Sequence, residues 1–217
     1  MKKELIKRFI TSIVLIILLS LMLKSSVVLI SSLLLMFVFS WIEFSFLFEK
    51  IFKKKKNFFY FKYIFKFIIF IYLLFFINII VDEFLLNQPN ISQNILFVIT
   101  VCIFSDIGGF VFGKIFKGKK LTKISPNKTF AGMYGSFILT IIFTIIYCHY
   151  LNIDNLKIYI INCLLISLVC QLGDLFVSYL KRKSNVKDTG NILPGHGGIL
   201  DRIDGILFAL PFGILLM

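Results

Sequence analysis

The segment from Ser178 to Asp204 holds the densest group of residues that could do chemistry in this chain. Its acids, Asp188, Asp201 and Asp204, lie among basic residues. Carboxylates beside cations are typical of a site for Mg²⁺ and a polyphosphate, because acids hold the metal and cations neutralise phosphates. Phosphoryl-type transfer depends on such positioning and electrostatics rather than on a protein nucleophile. The basic residues are Lys181, Arg182, Lys187 and Arg202.

Three glycines surround His196 in the same segment: Gly195, Gly197 and Gly198. Glycine lets the backbone approach a ligand closely, and successive amides can cradle a phosphate. His196 could act as a general base, but a phosphomonoester nucleophile is already ionised near pH 7 and needs none. We therefore expect His196 to orient or contact a phosphate.

Asp174 is an acid inside an apolar stretch that precedes this segment. An ionisable residue in a membrane span is costly, so it is a functional candidate. Gln171, Asp174 and Ser178 share one face of a helix, and Lys181 and Arg182 continue that face. This stripe predicts the wall of a hydrophilic cavity. The alternative is an acid that pairs with a lysine and only holds helices together.

Asp106 lies in the middle of another apolar stretch. Ser105, Gly109 and Gly113 recur there at every fourth residue, and small residues at that spacing let a second helix approach closely. Asp106 beside them could line the cavity or serve as a hydrogen bonder in helix packing, and both interpretations stay open.

Ser125 and Lys128 belong to the run Ile124–Phe130, which precedes a further apolar block. Hydroxyl and amide groups beside a cation suit phosphate contact at the start of a helix, where the backbone amides also favour anions. The same run is equally typical of an ordinary turn followed by a helix cap.

Apolar blocks must position these residues. The chain of 217 residues is 59% hydrophobic, with a mean hydropathy of +0.94. Blocks of about 20 apolar residues can cross a membrane as helices that satisfy their own backbone. We predict an all-α, polytopic membrane protein of about seven spans in one domain, residues 1–217, with 1–90 as scaffold and 94–217 as the catalytic half. The predicted spans are about 9–23, 26–47, 59–81, 94–115, 131–151, 157–180 and 200–217.

The net charge of +13 is explained by basic residues in the loops that stay in the cytoplasm, and it does not indicate nucleic-acid binding. Outside the third span, Lys and Arg residues number 4 in the N-terminal segment and 1, 5, 0, 6, 1 and 5 in the six connections that follow. This alternation predicts a cytoplasmic N-terminus, with loops 116–130 and 181–199 on the cytoplasmic side. The first apolar block lacks a cleavage site for a signal peptidase, so we expect it to be a retained span.

The run S-x-x-K-R-x4-K-D-x-G-x3-P-G-H-G-G-x-x-D-R-x-D, from Ser178 to Asp204, resembles the signature of phosphatidate cytidylyltransferase, also called CDP-diacylglycerol synthase. Upstream, Asp106, Gly113-Lys114 and the block from Ser125 to Thr129 are similar to a second conserved block of that family. The resemblance covers about residues 105–205. Many members have Trp-Glu where this chain has Phe130 and Ala131, and the chain is shorter than most, which suggests that one or two N-terminal spans are lacking.

The resemblance implies transfer of a cytidylyl group from CTP to phosphatidic acid, giving CDP-diacylglycerol and pyrophosphate for phospholipid biosynthesis. It implies Mg²⁺, with K⁺ as a second ion in some members, and metal ligation by Asp174 and Asp201, with Asp204 as the next candidate. Catalytic roles are expected for Asp174, Asp201, Lys181, Arg182, Lys187 and His196. Substrate contacts are expected from Ser125, Lys128, Ser178, Asp188, Gly197, Gly198, Arg202 and Asp106.

A multi-pass protein of the bacterial inner membrane, with its site facing the cytoplasm, is the expected setting. The expected partners are CTP, phosphatidic acid and the lipid bilayer, with no nucleic acid, and a homodimer is left open. One alternative is a CTP-dependent lipid kinase of the dolichol or phytol type, whose C-terminal segment is similar. A second is an ion-coupled transporter, which the lack of paired repeats disfavours.

Overall fold

Seven α-helices account for most of the described residues in the computed structural model of this protein. The structure describes residues 2–53, 59–86, 91–122, 124–126, 128–192 and 197–217. Each predicted span coincides with one helix, which confirms the all-α fold class. The helices are α1 (Lys2–Lys24), α2 (Ser26–Phe52), α3 (Phe59–Leu86), α4 (Ile91–Phe116), α5 (Phe130–Tyr150), α6 (Leu156–Lys183) and α7 (Leu200–Leu216).

Five of these helices, α2 to α6, are long and apolar enough to cross a membrane. The protein is therefore a multi-pass membrane protein. In α1 the apolar segment Ile13–Met22 is shorter, and α7 has 17 residues. Membrane crossing by α1 and α7, and hence the count of seven spans, stays a prediction.

The chain divides into two compact units. Unit 1 comprises Met1–Pro89 and Leu180–Ile203, and unit 2 comprises Asn90–Tyr179 and Asp204–Met217. Unit 1 thus joins the three N-terminal helices with the charged and glycine-rich segment, which the sequence had assigned to a separate catalytic half.

In unit 1, aromatic rings hold α2 against α3. The Trp41 and Phe70 rings meet edge to face with centroids 5.2 Å apart. Lys66 of α3 forms an ion pair with Glu49 of α2, with Nζ 2.7 Å from Oε1. Edge-to-face rings add to the energy of area burial, so α3 fixes the position of α2.

In unit 2, small residues let α4 and α5 pack backbone to backbone. A Cβ atom on Gly132 would lie 2.6 Å from the carbonyl oxygen of Gly109. Ser136 donates a hydrogen bond of 2.6 Å to the carbonyl oxygen of Ser105. The close approach predicted from Ser105, Gly109 and Gly113 is therefore confirmed, with α5 as the partner helix.

Glycine also sets the approach of α7 to α6 within unit 2. A Cβ atom on Gly173 would lie 2.7 Å from the Phe208 ring and 2.9 Å from the Asp204 carbonyl oxygen. A Cβ atom on Gly205 would lie 2.6 Å from the sulfur of Cys170. Gly173 immediately precedes Asp174, so the packing of α7 also fixes the turn that carries that acid.

Replacing Gly132 with alanine is expected to destabilise the protein by about 1–3 kcal/mol, because the added methyl group meets a backbone oxygen that cannot rotate away. The measurement is thermal unfolding in detergent. Ile138→Ala on the same helix is the control, since Ile138 is 45% exposed. Equal midpoints for the two variants would contradict the close packing of α4 and α5.

Labelling of introduced cysteines tests the orientation predicted from the charge pattern. Lys119 and Asn152 lie beyond opposite ends of α5. A membrane-impermeant maleimide applied to spheroplasts is expected to label Asn152→Cys and not Lys119→Cys, and inverted vesicles should give the reverse. The four native cysteines are buried and should contribute little background. Labelling of both positions from the same side would contradict the predicted topology.

Candidate active site

Asp201, at the start of α7, is a predicted site residue whose two carboxylate oxygens both accept hydrogen bonds. Its Oδ1 lies 2.8 Å from Nζ of Lys181, and its side chain is 6% exposed. Its Oδ2 accepts hydrogen bonds from the amides of Thr189 (2.8 Å) and Gly198 (3.1 Å), and the Thr189 hydroxyl oxygen lies 3.0 Å from it. The carboxylate therefore ties the end of α6 to the loop that precedes α7.

This loop, residues 188–192 and 197–199 in the described chain, is called the glycine loop below. The chain leaves α6 through Asn185, which has φ of +54°, a left-handed conformation that asparagine tolerates. Gly197 has φ of +87°, and a Cβ there would lie 3.1 Å from Oδ2 of Asp201. Glycine at 197 thus satisfies both a backbone conformation and a close approach.

Glu43, in the middle of α2, also contacts the glycine loop. Its carboxylate accepts hydrogen bonds from the Thr189 hydroxyl (2.6 Å), the Ile199 amide (3.0 Å) and the Leu200 amide (2.9 Å). The two amides belong to the residue before α7 and to its first residue, where backbone donors have no partner within the helix. An acid from an N-terminal helix therefore caps α7.

Sequence reasoning missed Glu43 and Thr189. The signal for Glu43 was present, because it is an acid within the apolar span predicted at 26–47, and the rule that singled out Asp174 and Asp106 applies to it equally. Nothing in the sequence marked Thr189, whose hydroxyl has a role only because Glu43 and Asp201 both lie within reach of it.

The remaining predicted residues of unit 1 lie on its surface or outside the described chain. Arg182, Lys187, Asp188 and Arg202 are exposed. His196 lies outside the described residues, so its predicted role stays a prediction. Exposed cations next to the ion pair of Lys181 and Asp201 in sequence make a basic surface to which a polyphosphate could bind.

Unit 2 contains a second group of predicted residues around Asp174. Lys128 forms an ion pair with Oδ2 of Asp174, and Ser178 donates a hydrogen bond of 3.3 Å to Oδ1. Asp106 is exposed, and the charges of Asp174 and Lys128 act on it. Its carboxylate makes no hydrogen bond to another described residue, and both interpretations of Asp106 stay open.

A short turn presents Lys128 to Asp174. The Lys128 amide donates to the Ser125 carbonyl (3.1 Å), and the Leu121 amide donates to the Lys128 carbonyl (2.8 Å). Thr129 then caps α5, because its hydroxyl oxygen accepts a hydrogen bond of 3.1 Å from the amide of Gly132. The turn-and-cap interpretation of this run is confirmed, and phosphate contact by Ser125 and Lys128 stays a prediction.

Polar groups on α4 and α6 are linked inside unit 2. Ser105 of α4 and Ser167 of α6 have their hydroxyl oxygens 2.9 Å apart, and Gln171 donates to Ser167 (3.3 Å). The stripe predicted from Gln171 to Ser178 therefore joins a hydrogen-bonded series in the packed interior. Asp204, predicted beside Asp201, lies in unit 2, where its Oδ1 accepts from the Gly205 amide (2.9 Å).

The chemistry of the donors decides where Mg²⁺ would fit. Asp174 and Ser178 offer hard oxygen donors, and the Asp174 side chain is 28% exposed. This fits Mg²⁺, which usually takes one or two carboxylates together with substrate phosphates. Asp201 fits less well because its side chain is only 6% exposed, and its metal role stays a prediction. No group of three or more His, Cys, Asp or Glu residues in the described chain is arranged as a metal site.

Comparison with known proteins identifies the chain's relatives. A family model described as the cytidylyltransferase family matches residues 1–217. A phosphatidate cytidylyltransferase of Rickettsia typhi is 41% identical over 136 residues, which cover 57% of this chain and 59% of that protein. One of Staphylococcus haemolyticus is 41% identical over 119 residues, which cover 54% of this chain and 46% of that protein. The chain spans about half the length of the curated relatives it matches.

A double-mutant cycle with Lys128→Met and Asp174→Asn tests the ion pair between them. Both side chains are less than a third exposed, so we expect a coupling free energy of about 1–3 kcal/mol in thermal unfolding. The control pair is Lys66 and Glu49, whose acid is 57% exposed and whose coupling should be about 0–1 kcal/mol. A smaller coupling for Lys128 and Asp174 than for the control pair would contradict the geometry.

Proposed function

This chain belongs to the cytidylyltransferase family, and we propose on that premise that it transfers the cytidylyl group of CTP to phosphatidic acid. The products are CDP-diacylglycerol, a precursor for phospholipid biosynthesis, and pyrophosphate. The observation that carries the proposal is the family match over residues 1–217, together with relatives named phosphatidate cytidylyltransferase.

The proposed reaction is one displacement at phosphorus. A phosphate oxygen of phosphatidic acid forms a bond to the α-phosphorus of CTP. The bond from that phosphorus to the oxygen bridging it to the β-phosphate breaks, and pyrophosphate leaves with the electron pair. The attacking phosphate is already ionised near pH 7, so the protein needs to supply no general base.

Basic residues of unit 1 are proposed to bind the phosphates of CTP. Lys181 is held at 2.8 Å by Asp201, so its ammonium is fixed before substrate arrives. Such preorganised charge stabilises a developing negative charge without reorganisation during the reaction. Arg182, Lys187 and Arg202 add to the same basic surface, and Asp188, Gly197, Gly198 and His196 are proposed as further contacts of the nucleotide.

Asp174 and Ser178 are the residues that would hold Mg²⁺ in this proposal. The ion, when bound, would neutralise phosphate oxygens and stabilise the leaving pyrophosphate. Lys128, paired with Asp174, is proposed to turn its charge toward a substrate phosphate, with Ser125 and Asp106 beside it. Ligation by Asp201 and Asp204, and K⁺ as a second ion, are carried over from the family resemblance as proposals.

The proposed setting is the bacterial inner membrane. Phosphatidic acid would enter from the cytoplasmic leaflet, and CTP from the cytoplasm. The excess of basic residues in alternate connections supports that orientation. The reaction as proposed does not require a homodimer.

Labelled CTP distinguishes this reaction from that of a lipid kinase. Purified protein is incubated with Mg²⁺ and CTP labelled at the α- or the γ-phosphate, with phosphatidic acid in one reaction and a polyprenol or phytol in a parallel one. We expect the α-label in the lipid fraction and the γ-label in pyrophosphate. Transfer of the γ-label to a polyprenol or phytol would support the kinase instead, and absence of any labelled lipid would contradict both.

Replacing Asp174 with asparagine is expected to lower kcat/KM by at least about 100-fold, because the carboxylate charge that would hold the cation is lost. Asp154→Asn is the control, since Asp154 is an exposed acid in the connection between α5 and α6. Activity of Asp174→Asn equal to that of Asp154→Asn would overturn the metal-binding role.

A further inference from the structure

Glu43 is a buried acid on an apolar helix that none of the proposed catalytic steps uses. Its residue is 2% exposed, whereas Glu49, two turns further along α2, has a side chain that is 57% exposed. A carboxylate buried away from water is strongly destabilising unless donors surround it. The position of Glu43 therefore depends on the donors that the glycine loop supplies.

Glycines of the loop make room for the Glu43 carboxylate. A Cβ on Gly190 would lie 2.7 Å from Oε1 of Glu43, and a Cβ on Gly198 would lie 2.6 Å from the same atom. Gly198 was predicted to bring its backbone close to a ligand. In the structure the close approach is to Glu43, and the Gly198 amide is already bonded to Asp201.

Thr189 links Glu43 to Asp201. Its hydroxyl has one proton and lies within hydrogen-bond distance of both carboxylates, 2.6 Å from Glu43 and 3.0 Å from Asp201. The shorter distance assigns the proton to Glu43. The Thr189 amide donates its hydrogen bond to Asp201. Thr189, which is 2% exposed, therefore sets the spacing of the two acids.

We infer that Glu43 is a positioning residue for the proposed cytidylyl transfer, acting through Thr189 and the start of α7 on Asp201 and Lys181. The inference rests on the proposed function. Glu43 fixes the Ile199 and Leu200 amides and the Thr189 hydroxyl, and these fix the backbone that holds Asp201. Asp201 in turn orients the Lys181 ammonium that is proposed to bind CTP.

Glutamine is the sharpest substitution at position 43. It conserves volume but replaces one acceptor oxygen with an NH₂ group, which is a donor. That group would face a donor already present, since an amide or hydroxyl points at each oxygen. Either the Ile199 amide at Oε1 or the Thr189 hydroxyl and Leu200 amide at Oε2 must therefore move away from the NH₂ group. The glycine loop, which carries these donors, moves with them.

Amide hydrogen exchange tests the positioning without any substrate. In Glu43→Gln we expect exchange at Ile199 and Leu200 to be faster by at least about tenfold, since charged hydrogen bonds are lost. The inference further requires faster exchange of the Thr189 and Gly198 amides, because these two N–H groups donate to Asp201 and not to Glu43. Glu49→Gln is the matched control and should leave all four amides unchanged.

Acceleration confined to Ile199 and Leu200 would overturn the inference, because Glu43 would then cap α7 without acting on Asp201. Unchanged exchange at all four amides would overturn it as well. Neither outcome depends on activity. The proposed function fails separately, if wild-type protein forms no labelled CDP-lipid.

Steady-state kinetics of wild-type and variant proteins test whether the position of Glu43 affects the binding of CTP. We expect Glu43→Gln to raise KM for CTP by at least about fivefold while KM for phosphatidic acid stays within twofold, because interactions with one substrate are weakened. Partial unfolding would lower apparent kcat and leave both KM values unchanged, and that result would overturn the inference. Thr189→Val should change KM for CTP in the same direction, and Thr189→Ser, which keeps the hydroxyl, should restore it.

Discussion

A carboxylate within an apolar helix can be tolerated only where donors replace water, and in unit 1 the glycine loop supplies those donors to Glu43. The dependence runs in both directions. The start of α7 has amides without helical partners, and Glu43 satisfies two of them. Aromatic packing of α3 holds α2, and α2 carries Glu43. Helix α2, held by α3, thus contacts the backbone that carries Asp201, and the division into a scaffold and a catalytic half stays a prediction.

Unit 2 meets a different constraint, which is how helices associate where lipid is as apolar as their side chains. There the energy must come from close packing and interhelical hydrogen bonds. Gly109 and Gly132 bring α4 and α5 together, and the hydroxyl groups of Ser105, Ser136 and Ser167 join the helices through polar contacts. The rigid frame that results carries Asp174, to which the turn before α5 presents Lys128.

The helices could be predicted from sequence because membrane thickness and backbone hydrogen bonding leave few choices. Seven apolar blocks gave seven helices, with ends within about five residues of the prediction except at α1, which begins at Lys2 instead of residue 9. The recurrence of Ser105, Gly109 and Gly113 predicted a close helix contact, and the i, i+4 spacing placed Asp174 and Ser178 on one helix face, where they form a hydrogen bond. These are local periodicities of one helix, which the sequence contains in full.

The sequence by itself determined the class of protein, the helices and the charged groups available for chemistry, since each depends on composition and spacing along one segment. Only the tertiary structure decided how those groups pair. The bond between Glu43 and Thr189 joins residues 146 positions apart. The pairing of Lys128 with Asp174, and of Lys181 and the Gly198 amide with Asp201, depends on how each helix is rotated and how closely it is packed. Rotation and packing arise from contacts among several segments at once, and no single segment of the sequence specifies them.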